Sequence, residues 1–262
     1  MFNIISTKRF FLHLGLLCLV ISLHNDRICY GYIMPAEQLV EFLTNNFLKI
    51  ETVDAIVSAT KQDITKGVEE RISPIRILIK SPDLFKTITF DPGDSKDSFP
   101  DNIHLQLLVS NEKKRIELLL SWMGINLESL AFTRIDNIIA YRIGNSGPDI
   151  PKILIEKERF LPLQLVYRPP DKPSEIITVR FNDYRKLDEG WYPYEIISSF
   201  WNGIVFKYTV RIIRTNTDID EYHLKPALID LSQEEELGVI RENLIEEERL
   251  RRIIKAFEEK YE

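Results

Sequence analysis

Apolar and polar side chains alternate with a period of two along most of the chain between residues 53 and 214. This period is typical of strands that bury one face of a sheet. It predicts strands at residues 53–63, 72–80, 84–90, 138–143, 153–156, 163–167 and 176–184. Ser81-Pro82-Asp83 is a turn signal between the second and third of these strands. Residues 91–101 are predicted to form a polar loop.

Two hairpins complete the predicted set of strands. In the first, residues 105–109 and 116–122 are strands joined by a turn at residues 110–113. Their apolar positions are Leu105, Leu107 and Val109, then Ile116, Leu118, Leu120 and Trp122. In the second, Asn202-Gly203 suits a type I′ turn between residues 192–201 and 204–214. There Phe206, Tyr208, Val210 and Ile212 are expected on one face.

Helical spacing is confined to three segments. Residues 35–50 are predicted to be an amphipathic helix that begins near Pro35, and residues 126–132 a short helix. Residues 233–262 are dense in Glu, Arg and Lys, with apolar residues near helical spacing. This last segment is expected to dock on the domain, to project into solvent or to bind a partner.

These elements predict an α+β, mainly β fold. It is an incomplete antiparallel β-barrel of about ten or eleven strands with a helical lid, followed by a charged C-terminal helix. Side chains do not fill so wide a barrel, so it encloses an apolar cavity unless a helix plugs it. An apolar cavity suits an apolar ligand. From the alternation, the candidate cavity residues are Ile77, Ile79, Leu107, Leu118, Leu120, Trp122, Phe181, Phe206 and Tyr208. The candidate lid residues are Leu127, Leu130 and Phe132.

The N-terminus has the composition of an export signal. Lys8 and Arg9 precede the apolar residues 10–23, a stretch too short to span a bilayer comfortably. Cys29-Tyr30-Gly31 places small residues where a signal peptidase requires them, so the mature chain is expected to begin near Tyr32. Lipidation is disfavoured because bulky residues, Leu17 and Ile28, precede the two cysteines. The predicted divisions are a signal peptide at 1–31, a half-barrel domain at 32–230 and an acidic extension at 231–262, and the predicted location is the periplasm.

Charge and motifs narrow the functional classes. The formal charge of −6 argues against nucleic acid as a partner, because phosphate neutralisation needs surplus Lys and Arg. Cleavage of the signal would remove both cysteines, leaving no thiol nucleophile or disulfide. Outside the signal, His104 and His223 are far apart, and no metal-ligand spacing, phosphate loop or nucleophile elbow is present. Asp183, Asp188 and Glu189 adjoin turns, where solvated charge is ordinary. The sequence therefore predicts a binding protein without metal or cofactor rather than an enzyme.

Three segments, taken in order, carry a family resemblance. They are Ile79-Lys80-Ser81-Pro82-Asp83-Leu84-Phe85, Leu108-Val109-Ser110-Asn111-Glu112-Lys113 and Ile219-Asp220-x-x-x-Leu224-x-Pro226. The first is similar to the strand-turn segment Val-Lys-Arg-Pro-x-x-Phe of the LolA family of periplasmic lipoprotein carriers. The second resembles that family's Leu-Val-Ser-Asp-Gly-Lys hairpin, and the third resembles the motif that closes its last strand. The resemblance covers residues 34–226.

This resemblance implies a half-barrel closed by helices that holds the acyl chains of a lipoprotein or another lipid. In the family, the arginine of the turn points into the barrel and helps to latch the lid, whereas Ser81 occupies that position here. The latch is therefore not carried over, and the chain looks like a divergent member. The expected function is a periplasmic carrier that moves lipoprotein or lipid toward the outer membrane, with protein partners at the inner and outer membranes.

A regulatory or assembly module is the alternative interpretation. A similar half-barrel occurs in periplasmic sigma-factor regulators, which bind a membrane partner. On this hypothesis residues 233–262 would form the protein-binding element.

Overall fold

One antiparallel sheet of eleven strands organises the described part of the chain. The computed structural model describes residues 33–81, 84–89, 103–169, 172–219 and 224–226. The strands are β1 (Thr52–Asp63), β2 (Val68–Lys80), β3 (Leu84–Thr89), β4 (Leu130–Ile135), β5 (Ile138–Gly144), β6 (Lys152–Glu156), β7 (Pro162–Tyr167), β8 (Ile177–Lys186), β9 (Trp191–Phe200), β10 (Ile204–Thr215) and β11 (Lys225–Pro226).

The strand order is β11-β3-β2-β1-β10-β9-β8-β7-β6-β5-β4. The non-local pair is β1 with β10, which joins the N-terminal strands to the long meander from β4 to β10. In the described residues β4 and β11 lie at opposite edges and do not pair with each other, so the sheet is not closed. The predicted fold class, a mainly β incomplete antiparallel barrel, is confirmed.

Three helical segments accompany the sheet in the described part of the chain. Helix α1 (Ala36–Asn45) begins one residue after Pro35, close to the predicted start, and ends before the predicted end at residue 50. A 3-10 helix (Ile103–Leu108) and helix α2 (Lys113–Trp122) follow β3. Ion pairing between Glu37 and Lys113 links α1 to α2.

The predicted first hairpin is wrong, because its two segments are the 3-10 helix and α2. Every residue of the 3-10 helix is buried. The segment therefore has no exposed polar face from which its helical spacing could be recognised. On α2 the buried positions include Ile116, Leu119 and Leu120, and Met123 follows at the same spacing. These positions are three or four residues apart, as on a helix face.

The predicted helix at residues 126–132 is also wrong, since residues 130–135 form β4. A two-residue turn at Asp136 and Asn137 joins β4 to β5, and both residues have positive φ, 48° and 66°. Type I′ turns require positive φ at both central positions, which Asp and Asn tolerate better than most residues. The sequence signal for the β4–β5 hairpin, which the prediction missed, is therefore the Asp136-Asn137 turn.

The β9–β10 hairpin is confirmed, but its turn is not the predicted type I′. Gly203 has φ of 81°, whereas Asn202 is not among the residues with positive φ. The Gly203 amide donates to the Phe200 carbonyl, which gives a three-residue loop with glycine in the left-handed position. A register shift opposite Val57 then turns Ile212 outward, so Ile212 is 51% exposed and does not share the face of Val210.

Several sequence expectations lie outside the described residues. They are the signal peptide, the polar loop at 91–101, His223 and the C-terminal helix predicted at 233–262. Within the described residues, no helix combines the length and apolar character required for a membrane span.

Asn216 follows the last residue of β10 and ties the end of this strand to the segment that precedes β1. Its φ is 52°, and its side-chain Oδ1 accepts from the Glu51 amide at 2.8 Å. Its Nδ2 donates to the Lys49 carbonyl at 2.8 Å. One side chain therefore fixes the link between α1 and β1 against β10.

We expect Asn216→Ala to lower the free energy of unfolding by about 1–2 kcal/mol, because it removes these hydrogen bonds and strains the left-handed backbone. Urea unfolding of the full chain measures the change. Asn216→Gly is the control, since it relieves the backbone strain without restoring the hydrogen bonds, and we expect an intermediate loss. Equal stability of Asn216→Ala and the parent chain would contradict this assignment.

Asp63 closes the turn between β1 and β2. Its Oδ1 accepts from the Thr65 hydroxyl and from the Thr65 and Lys66 amides, and Oδ2 lies 3.0 Å from Lys66 Nζ. The side-chain hydrogen bonds from Thr65, then from Lys66, lower the pKa of Asp63 to about 2.

We expect Asp63 to contribute stability above its unfolded pKa of about 3.9, and to lose that contribution as the pH falls toward 2. Asp63→Asn removes the charge while it keeps an acceptor oxygen. The stability difference between the parent and this variant should shrink between about pH 5 and pH 2 in thermal unfolding. A difference that stays constant over this range would contradict the expected titration.

Candidate functional site

The inner face of the sheet is a continuous apolar surface. Alternate residues of each long strand are buried in one hydrophobic core, as expected for a sheet with one covered face. Examples from five strands are Val57, Ile77, Phe181, Ile196 and Phe206. Residues from α1, the 3-10 helix and α2 belong to the same core, so helices cover this face.

A small cavity lies between the 3-10 helix and the sheet. Its volume is about 20 Å³, and its lining is mostly apolar. The lining residues are Val57, Ile77, Thr87, His104, Leu105, Tyr192, Ile196, Tyr208 and Val210. A space of this size holds a water molecule or one small chemical group. It is too small for an acyl chain.

Five of the nine predicted cavity residues lie on the inner sheet face. Ile77 and Tyr208 line the cavity itself. Ile79, Phe181 and Phe206 are buried in the same core. Because Ile196 pairs with both Phe181 and Tyr208, the register places β8, β9 and β10 with these side chains on one face.

The other four predicted cavity residues come from helices and not from strands. Leu107 lies on the 3-10 helix, and Leu118, Leu120 and Trp122 lie on α2. Leu107 and Leu120 are fully buried in the core, Trp122 packs against it, and Leu118 is half-buried. These residues therefore belong to the cover over the sheet.

The predicted lid residues do not form a lid helix. Leu127 precedes β4, and Leu130 and Phe132 lie on β4 at the sheet edge. Leu127 and Leu130 pack against the core, whereas Phe132 is 39% exposed and its ring centroid lies 4.8 Å from that of Tyr141. The segment with the position expected of a lid is residues 103–122.

Seven cavity residues were missed in the sequence analysis. They are Val57, Thr87, His104, Leu105, Tyr192, Ile196 and Val210. The alternation of β1, β9 and β10 could have identified four of them, because each lies on the buried face of its strand. These four are Val57, Tyr192, Ile196 and Val210. Nothing in the pattern identifies His104, since its neighbours on the 3-10 helix are all buried. Its ring centroid lies 6.2 Å from that of Phe181 on β8.

Helix α1 is tied to the sheet at its C-terminal end. The side-chain amide of Asn46 donates to the carbonyls of Arg159 and Phe160 at 2.8 and 3.2 Å. A Cβ atom on Gly190 would lie 2.5 Å from the Asn46 carbonyl oxygen, so only glycine permits this approach. The α1 cover is thus fixed by polar contacts as well as by its apolar face.

At Ser81, the position of the arginine in the family that the sequence resembles, the backbone forms a hydrogen bond. Ser81 follows the last residue of β2, and its backbone amide donates to the Glu51 carbonyl at 2.7 Å.

Among the described residues, no group of three or more His, Cys, Asp or Glu side chains is placed to hold a metal ion.

Burial controls the ionisation of the tyrosines in the interior. Loss of hydration raises the pKa of the Tyr208 and Tyr192 hydroxyls well above the ordinary value. Both hydroxyls therefore stay neutral at pH values at which an exposed tyrosine ionises.

Comparisons with known proteins give similarity in structure only. Neither a protein-family model nor a curated protein matches this sequence. A LolA superfamily protein from Nitrosomonas europaea is 10% identical with a TM-score of 0.48, over 72% of this chain and 96% of that chain. A candidate outer membrane lipoprotein-sorting protein domain from Vibrio parahaemolyticus is 14% identical with a TM-score of 0.47, over 71% and 96%. A chain of the Pseudomonas aeruginosa MucA/MucB complex is 9% identical with a TM-score of 0.24, over 70% and 99%.

We expect Tyr192 and Tyr208 to remain un-ionised in the folded protein when exposed tyrosines titrate. Stability should be complete below the unfolded tyrosine pKa of about 10 and should decline above it, because only the unfolded state then releases these protons. Absorbance titration near 295 nm and urea unfolding from pH 9 to 11 measure the two effects. Tyr208→Phe should reduce the decline, and an unchanged decline would contradict the assignment.

Proposed function

We propose that this chain is a periplasmic carrier that binds the acyl chains of lipoproteins or lipids inside the half-barrel and transfers them toward the outer membrane. The observation that carries the proposal is the apolar inner sheet face, which is covered by helices instead of by further strands.

A helical cover can separate from the sheet without breaking strand pairing. Strand-to-strand hydrogen bonds run along the ladders, whereas residues 103–122 contribute side chains to the core. Opening therefore exposes apolar surface but leaves the ladders intact. The proposed closed state has a cavity of about 20 Å³, and the proposed loaded state replaces part of the cover with acyl chain.

Ligand binding and opening of the cover both transfer apolar surface between water and the protein interior. Burial of an acyl chain contributes about 0.8 kcal/mol per methylene, so ten methylenes contribute about 8 kcal/mol. Exposing the cover costs free energy at a similar rate per unit of apolar area. The two contributions oppose each other, which suits a carrier that must both accept and release its cargo.

The proposal includes export and partners. Residues 1–31 would act as a cleaved signal, 32–230 as the carrier domain and 231–262 as an acidic extension. The proposed cargo is a lipoprotein or another lipid, the class that the sequence resemblance implies. Proteins at the inner and outer membranes would supply and receive it.

Purification of the protein from its native periplasm, followed by mass spectrometry, tests the proposal. Acyl ligand bound in a defined ratio is the expected result. Repeated absence of acyl ligand, together with failure to protect a lipoprotein from aggregation, would overturn it.

A pair of variants tests whether the ligand binds at the cavity. Val210 lines the cavity, while Val205 lies on the opposite face of β10. We expect Val210→Thr, which keeps the shape of the side chain but adds a hydroxyl, to weaken binding of a fluorescent fatty acid by about tenfold. Val205→Thr is the matched control and should bind as the parent does. Equal affinity of the two variants would place the ligand elsewhere.

A further inference from the structure

The interior of the half-barrel contains polar side chains that have no hydrogen-bond partner in the described structure. Gln106 is 5% exposed, and both its amide nitrogen and its oxygen lack a partner. Ser198 is 2% exposed and its hydroxyl lacks a partner, as does the buried hydroxyl of Thr87. Folded proteins pair most buried polar groups, so three such side chains in one core require an explanation.

Thr87 lines the cavity, Ser198 shares the inner sheet face, and Gln106 is buried on the 3-10 helix that contributes to the lining. Gln106 follows the lining residue Leu105 on the 3-10 helix. Ser198 is two residues from the lining residue Ile196 on β9, and its pairing with Phe206 places it on the same inner face.

The chemistry of the lining favours a neutral polar group. Hydroxyls and a side-chain amide offer donors for a carbonyl oxygen. Among the described residues that line the cavity there is no lysine or arginine, which a phosphate would require as a partner. The volume of about 20 Å³ accepts one small group next to Thr87, while the surrounding walls are apolar.

We propose that Thr87, Gln106 and Ser198 bind the ester or amide carbonyl groups of an acylated ligand, and so fix the position of the acyl chain in the half-barrel. This inference rests on the proposed carrier function and names its substrate class more closely. In the loaded state the three side chains donate hydrogen bonds to the carbonyl oxygens of the ligand. In the closed state they are unpaired, which lowers the stability of the ligand-free protein.

Two probes of similar length distinguish the contribution of the carbonyl group to binding from that of the acyl chain. Binding of methyl decanoate and of n-undecane to the full chain is measured by headspace gas chromatography. We expect the ratio of ester affinity to alkane affinity to be about threefold to tenfold higher in the parent protein than in each inner variant. Thr87→Val, Gln106→Met and Ser198→Ala keep the side-chain size close, and each should reduce this ratio without weakening alkane binding.

Thr209→Val is the matched control, because Thr209 lies on the outer face of β10 beside Tyr208. Thermal unfolding checks the folding of each variant, and the three inner variants should be at least as stable as the parent, since each removes a buried unpaired group. If the parent binds both probes and none of the inner variants changes the ratio, the carbonyl site is overturned and the carrier function stands. If the parent binds neither probe, the carrier function is overturned with it.

Discussion

Burial of one apolar sheet face is the interaction on which the rest of this structure depends. The pairing of β1 with β10 joins residues about 150 positions apart and makes one surface out of strands from both ends of the domain. Because β4 and β11 do not meet in the described residues, that surface stays open at the edges. It must be covered by something other than strands, and α1, the 3-10 helix and α2 supply the cover.

The same constraint accounts for the chemistry of the interior. A cover made of helices leaves a cavity of about 20 Å³ where the 3-10 helix meets the sheet. Gln106 and Ser198 are buried in the same interior and have no hydrogen-bond partner in the described structure, a cost that a protein built for stability alone would avoid by using apolar residues. Retained buried polar groups of this kind are a feature of sites that bind, in which stability is given up for recognition.

The local pattern of apolar and polar residues was sufficient to predict the secondary structure of segments with one exposed and one buried face. Strands β1, β8 and β10 alternate clearly, and α1 shows an apolar stripe, so their existence and type were predictable. The pattern failed in residues 103–122, where Leu105, Leu107 and Val109 alternate by coincidence within a wholly buried segment. On α2 both periods were present, and the spacing of Ile116, Leu119, Leu120 and Met123 was the correct one.

The sequence by itself determined that the fold is mainly β, that its strands bury one face, and that five of the predicted cavity residues lie on that face, because alternation is a property of neighbouring residues. Only the tertiary structure decided which segments cover the face and where the cavity lies, because those depend on contacts between residues far apart in the chain. Thr87 and His104 meet at the cavity from β3 and the 3-10 helix. Each is unremarkable in its own segment, and the sheet that brings them together is built from strands at both ends of the domain.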